Sequence, residues 1–351
     1  MTTTLNGASR RTLLLGAAGA GLALPFAAKA QGQYRPEYKL SVVGNRPIPF
    51  AIGAFEWAEL VTQRSGGRIN VKVYPGSQLV GGDQTRELVA MRQGVIDFGV
   101  FSTINIAPQV REVGLFQLPF LMPNHKAFDA LIRGDVGRDM FGVMERRDVV
   151  PLAWGENGFR EISNSKRVIR KPEDMHGLKI RFAAGAIFND IYNGMGANPV
   201  QMSFADLQPA LSTGAVDGQE NPINLFLAFR MDTLAQKHLT VWNYVNDPLI
   251  FALSKTVWNS FTPADQQLVR ECAEEAGRNQ IALTRHGLGL DGGDDSSIRE
   301  LRTRGVEVTI LSVEEKAAFA RATRPVYDKW AQTVGAELVR KAEAAIRAAN
   351  A

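Results

Sequence analysis

The chain has 351 residues, 45% of them hydrophobic and 22% charged, which is enough to bury a sizeable core and long enough for two lobes. Its formal net charge is +4, but Arg10, Arg11 and Lys29 lie in a segment read below as removable. Without them the charge is +1, which leaves no case for nucleic acid or an anionic membrane surface. The single cysteine, Cys272, excludes a disulfide within the chain.

Residues 1–30 read as an export signal. The pair Arg10-Arg11 opens it, an apolar stretch runs from Leu13 to Ala28, and Ala28-Lys29-Ala30 supplies a small-x-small cleavage site. The arginine pair places it near the twin-arginine type, with general secretion as the other route to the same compartment. The apolar stretch is 16 residues, broken by glycines and Pro25, and a membrane span needs roughly 20.

Tyr38 to Val43 reads as the first strand, followed by a helix over 52–63 that Ser65-Gly66-Gly67 stops. Residues 68–74 alternate polar and apolar as a half-buried strand does, and Pro75-Gly76 turns the chain. A helix over 83–93 and a short strand over 95–100 follow. Residues 149–154 read as a strand leading out of this first unit. Beyond Asn157-Gly158 a second unit shows strands near 160–163, 178–182 and 199–202, with helices over 186–195 and 204–213. Residues 239–253 form a long β-prone run, where Asp247-Pro248 predicts a bend and a return to the first unit. Thr262 as N-cap and Pro263 at the first helical position begin a long helix. Helical spacing groups Cys272 with Leu268 and Val269 and predicts its burial. Residues 306–310 give one more strand, and amphipathic helices fill the C-terminal part. Alternating strands and helices indicate an α/β fold. The lack of a linker between the units predicts more than one crossing.

Several residues carry candidate chemistry. Leu178, Ile180 and Phe182 alternate onto one strand face, which leaves Arg181 on the other at the strand's carboxyl end. A guanidinium there grips a carboxylate through two parallel hydrogen bonds; the alternative is an ordinary surface arginine. Arg160 has its own alternative, a strand-edge charge paired with Glu156 or Glu161. Asp217 and Glu220, three residues apart, are the pair an exported hydrolase or lyase would use, although no nucleophile stands near them. Gly287-Leu288-Gly289-Leu290-Asp291-Gly292 satisfies G-x-G-x-x-G but follows a helix, so it reads as a helix break rather than a dinucleotide site. His125, His176, His238 and His286 show no metal-ligand spacing, and no metal or cofactor is expected.

Gly177-Leu178-Lys179-Ile180-Arg181 and Ala215-Val216-Asp217-Gly218-Gln219-Glu220-Asn221-Pro222 resemble the paired signatures of the solute receptors of TRAP (tripartite ATP-independent periplasmic) transporters. Asn157-Gly158-Phe159-Arg160, Asn164-Ser165-Lys166-Arg167 and Met195-Gly196-Ala197-Asn198-Pro199-Val200 extend the resemblance, which runs from about Tyr38 to about Ala276. It implies a two-lobed α/β periplasmic binding protein of the Venus-flytrap type, with several interlobe crossovers and a long bridging helix. Lobe I would hold residues 34–157 and about 247–286, and lobe II about 158–246 and 287–351. The resemblance assigns Arg181, Arg160, Asn221 and Phe204 to the ligand, with Asn45 and Ser102 from the first lobe. Asp217, Gln219 and Glu220 would mainly hold their loop. Phe182-Ala183 departs from the Val-Pro type of pair common in the family, and Ser102 stands where sialic-acid-binding members carry glutamate. Two arginines predict two positive charges in one site. The expected ligand is thus a small hydroxy-, keto- or dicarboxylic acid rather than a large sugar acid. The implied partners are the membrane permease subunits, the location the periplasm, and the acting form a monomer. The competing readings are the hydrolase or lyase above and a periplasmic sensor partner using the same pocket.

Overall fold

The computed structural model describes residues 34–351, and the export signal read over 1–30 lies outside the described residues. The described strands are β1 (Tyr38–Val42), β2 (Val71–Pro75), β3 (Phe98–Ser102), β4 (Val149–Phe159), β5 (Glu161–Asn164) and β6 (Lys179–Phe182). They continue with β7 (Asn198–Gln201), β8 (Gly218–Asn221), β9 (His238–Val241), β10 (Asn246–Ser254) and β11 (Glu307–Ile310). They form two mixed sheets, one in the order β2-β1-β3-β10-β4 and the other β11-β9-β5-β8-β6-β7. Helices cover both sheets, and the fold is two-lobed α/β. No helix among the described residues is long and apolar enough to cross a membrane.

The chain passes between the sheets at neighbouring points. β4 ends at Phe159 in the first sheet and β5 begins at Glu161 in the second, so Arg160 alone makes that crossing. Residues 242–245 return the chain from β9 to β10. The two crossings are tied together: the Arg160 N–H donates to the Val245 carbonyl at 2.9 Å. The indole of Trp242 donates to the Arg160 carbonyl at 3.0 Å. Glu161 is buried beside them and accepts the N–H groups of Trp242 and Asn243 at 2.7 and 3.1 Å. Burial pushes that carboxyl up to about 7, against the pull of these two donors.

The long helix, Pro263–Arg285, begins as its sequence requires: the Thr262 hydroxyl accepts the Asp265 N–H and Pro263 takes the first position. It lies on β4 and on the helix Pro49–Arg64, and it buries Val269, Cys272, Ala273 and Ala276. Trp57 fills the space between helices and sheet, with Phe98 and Phe251 edge-on at 5.1 and 5.6 Å. Farther along, Gln280 and Thr284 both donate to the Glu156 carbonyl, at 2.8 and 2.9 Å. The helix ends at Arg285 and Gly287 follows with φ +73°, the break that its glycines predict.

Several sequence expectations differ from the structure, and three of the differences have a local cause. β4 continues past Trp154 through Gly155-Glu156-Asn157-Gly158, a run whose polarity argues against a strand. It persists because partners are buried with it: Glu156 accepts from Arg285 at 2.6 Å and from Asn246 at 2.7 Å. The bend expected at Asp247-Pro248 falls instead at residues 242–245, where Asn243 takes φ +54°. Asp247 and Pro248 lie inside β10, at a register shift against β4, where a bulge accommodates a proline. The first helix starts at Pro49 rather than Ile52, a signal that proline at the first helical position offered. In the C-terminal part β11 joins the second sheet, whereas the last helix, Ala336–Asn350, packs on the helix His125–Arg133.

Candidate functional site

β6 and β8 run parallel with Arg181 opposite Gln219, so both strands end side by side, where α/β sheets open their ligand crevices. On its other side Gly218 lets β8 lie close against β5, because a Cβ there would stand 2.2 Å from the Ser163 carbonyl oxygen. Alternation along β6 sends Ile180 and Phe182 into the core, while Arg181 lines a small cavity.

Arg181, Arg160, Asn221, Phe204 and Ser102 all line this one cavity. They come from the ends of β6, β8 and β3, from the β4–β5 crossing and from the start of the helix Phe204–Thr213. Asn45 does not join them. It is exposed and lies in an outer groove with Phe204 and Phe229. The reason is local: its carbonyl accepts the Ile48 N–H and its side chain accepts the Arg46 N–H, a turn that aims it outward just before the first helix. Gln84, Asn105, Asn157 and Asp247 line the cavity as well, and sequence reasoning gave none of them a ligand role. Asn157 stood inside a motif already singled out, and Asp247 was legible only as part of a turn signal. Gln84 sits in an ordinary polar run and carried no signal. In the structure its side-chain oxygen accepts the Phe204 N–H at 3.1 Å, so the cavity is closed by a contact from one sheet's side to the other's.

The two arginines differ. Arg160 is held by carboxylates: Nε and Nη2 donate to the Glu220 carboxylate, and Nη1 is 3.4 Å from Asp247 Oδ2. Nη2 also donates to the Glu220 carbonyl at 2.7 Å and to Asn221 Oδ1 at 3.1 Å. Burial opposes this charge, but Glu220 and Asp247 more than offset it and hold the guanidinium above its ordinary value. Glu156 and Glu161, the partners that the alternative reading of Arg160 named, play no part. Arg181 has no such partner. Its Nε and Nη2 donate to the Met202 carbonyl at 3.0 and 2.8 Å, and Nη1 has no acceptor among the described residues. Burial pushes it down from its ordinary value to about 10, so it stays charged at neutral pH. The expectation of two available positive charges is therefore corrected to one.

Asp247 sits among donors. The Ser102 hydroxyl is 2.8 Å from both carboxylate oxygens, Thr103 Oγ1 is 3.2 Å away, and Asn157 Nδ2 donates at 2.9 Å. Burial raises its pKa, and Arg160, Asn157 and Ser102 pull the other way. The pair proposed for acid–base work is not assembled: Asp217 accepts the Lys179 N–H at 2.9 Å, and neither Asp217 nor Glu220 lines the cavity. Glu220 lies behind Arg160 and also accepts from the Tyr244 hydroxyl at 3.1 Å.

Residues 42–333 match the family model of bacterial extracellular solute-binding proteins, family 7. The chain is similar to a TRAP periplasmic solute-binding protein of Ralstonia eutropha H16 solved with bound (S)-2-hydroxy-2-methyl-3-oxobutanoate, or (S)-2-acetolactate. The two are 53% identical, with 90% of this chain and 99% of that one covered and a TM-score of 0.87. It is also similar to a sugar acid binding protein of Advenella mimigardefordensis in complex with galactonate, at 27% identity, 89% and 98% coverage and a TM-score of 0.82. Among sequences, the C4-dicarboxylate-binding periplasmic protein DctP of Rhodobacter capsulatus is 31% identical over 349 residues, 98% of this chain and 99% of that protein.

Proposed function

The chain belongs to the bacterial extracellular solute-binding proteins of family 7, the organic-acid receptors of TRAP-type transport, and we propose that it carries a small hydroxy- or keto-acid through the periplasm to a membrane permease. One observation carries the ligand class: Arg181 is a fully buried cation whose only acceptor among the described residues is a backbone carbonyl. A buried charge without a counter-ion is costly, and a ligand carboxylate on its free N–H groups relieves that cost. Asn221, Asn105, Asn157 and Gln84 offer amides suited to hydroxyl or keto oxygens. Phe204, Phe50 and Leu225 supply apolar wall. The Ralstonia relative's bound 2-hydroxy-3-oxo acid has this mixture of groups.

The two sheets with their helices act as the lobes, and they swing about Arg160 and residues 242–245. Lobe I holds the first sheet and the helices on it, including the last helix; lobe II holds the second sheet. The ligand stabilises the closed form because it touches both lobes only there. In this reading the receptor releases its ligand unchanged.

A competition series tests the reading on protein unfolded and refolded to strip copurified ligand. Short 2-hydroxy and 2-keto acids should bind stoichiometrically and without turnover, and their methyl esters and amides at least about 30-fold more weakly. Esters that bind as tightly as the acids would remove the carboxylate from Arg181.

A further inference from the structure

We infer that Asp247 limits the ligand to a single carboxylate, so that this receptor rejects dicarboxylates of the same size. The inference rests on the organic-acid reading above and adds the charge rule of the site. Four ionised groups stand in or directly behind the cavity: Arg160, Arg181, Glu220 and Asp247. Their charges sum to zero. Glu220 and Asp247 are both spent on Arg160, and every Arg160 nitrogen has a protein acceptor. Of the two arginines, Arg181 alone has no carboxylate on it among the described residues.

A monoanion seated on Arg181 leaves the closed cavity with one net negative charge. A dianion leaves two, with its second carboxylate in a small cavity that Asp247 also lines. Like charges brought together in such a site cost several kcal/mol. The position of Asp247 makes it the selector rather than Glu220, because Glu220 lies behind Arg160 and does not line the cavity. Ser102, Thr103 and Asn157 all donate to Asp247, so the fold keeps a carboxylate there with no ligand present. Replacing it by the neutral amide returns one charge to the account. A dianion in the Asp247→Asn protein then leaves the same net charge as a monoanion in the wild type.

The test compares two probes of matching shape. One is 2-hydroxy-2-methyl-3-oxobutanoate; the other is 2-hydroxy-2-methylmalonate, in which a carboxylate replaces the acetyl group. Calorimetry on stripped protein should show the wild type preferring the monoanion by about 100-fold or more. Asp247→Asn should shrink that ratio at least tenfold, chiefly by tightening the malonate. Asp247→Ala, which also opens space, should move it the same way. Circular dichroism and melting confirm which variants are folded, and either folded variant suffices. A wild-type ratio near one overturns the inference and leaves the receptor reading intact. So does an unchanged ratio in a folded variant. A wild type that binds neither probe but binds a neutral sugar overturns both readings.

Discussion

Arg160 and Arg181 lie in one cavity and are equally buried, yet truncating them should have opposite consequences for stability. Burial lowers Arg181 from its ordinary value to about 10, which corresponds to about 3 kcal/mol held against the charged side chain. Arg181→Met removes that cost but strips the Met202 carbonyl of two donors, a loss of about 1–3 kcal/mol. The ligand-free protein should therefore melt at or slightly above the wild-type temperature. Binding of a carboxylate should fall by about 2–5 kcal/mol, roughly 30- to several-thousand-fold. Arg160→Met leaves Glu220 and Asp247 buried without their cation, which costs about 3–5 kcal/mol and lowers the melting temperature on the order of 10 °C. Melts of stripped protein, with and without ligand, and calorimetry with a 2-hydroxy acid measure both effects. The reasoning fails if Arg181→Met is destabilised as much as Arg160→Met, or if it keeps wild-type affinity.

Glu87 gives a pH dependence of known sign. Burial pushes its carboxyl from 4.5 to about 7 against the hydrogen bond of Ser41, so between those values the folded chain keeps a proton that the unfolded chain has released. Its contribution to stability is full below the unfolded value and is lost as pH rises toward 7, about 3 kcal/mol in all. The melting advantage of Glu87→Gln over wild type should grow from pH 5 to pH 7.5, and parallel curves would contradict the assignment. Gly277→Ala should destabilise the protein by about 1–3 kcal/mol in urea, because its Cβ would meet the Trp154 carbonyl oxygen at 2.5 Å; a neutral result would mean that the long helix can move off β4. For the export signal, mass spectrometry of secreted protein should find Gln31 at or near the N-terminus, and an intact Met1 or Thr2 terminus would refute the reading.

Local chemistry was legible in the sequence wherever a short stretch decides its own conformation. Thr262-Pro263 placed the start of the long helix, since a cap and a fixed φ act within one turn. The helix over 204–213 was legible to the residue, as was the break at Gly287. Alternation along Leu178-Lys179-Ile180-Arg181-Phe182 put Arg181 on the face opposite the core side chains, because strand period alone sets that. The resemblance of two motifs extended this to the two-lobed fold and to five residues that share one cavity. Partnership was not legible, because it depends on which strands lie side by side. Glu220 reaches Arg160 only because β8 pairs with β5, with Asn221 opposite Glu161. Asp247 arrives from 87 residues away because β10 returns beside β4. Asn45 turned outward through hydrogen bonds within its own loop, too subtle for a pattern of residue types. The number of charges a ligand meets is thus a tertiary property: the chain carries two arginines at the site, and the folded structure, by pairing one of them, leaves one.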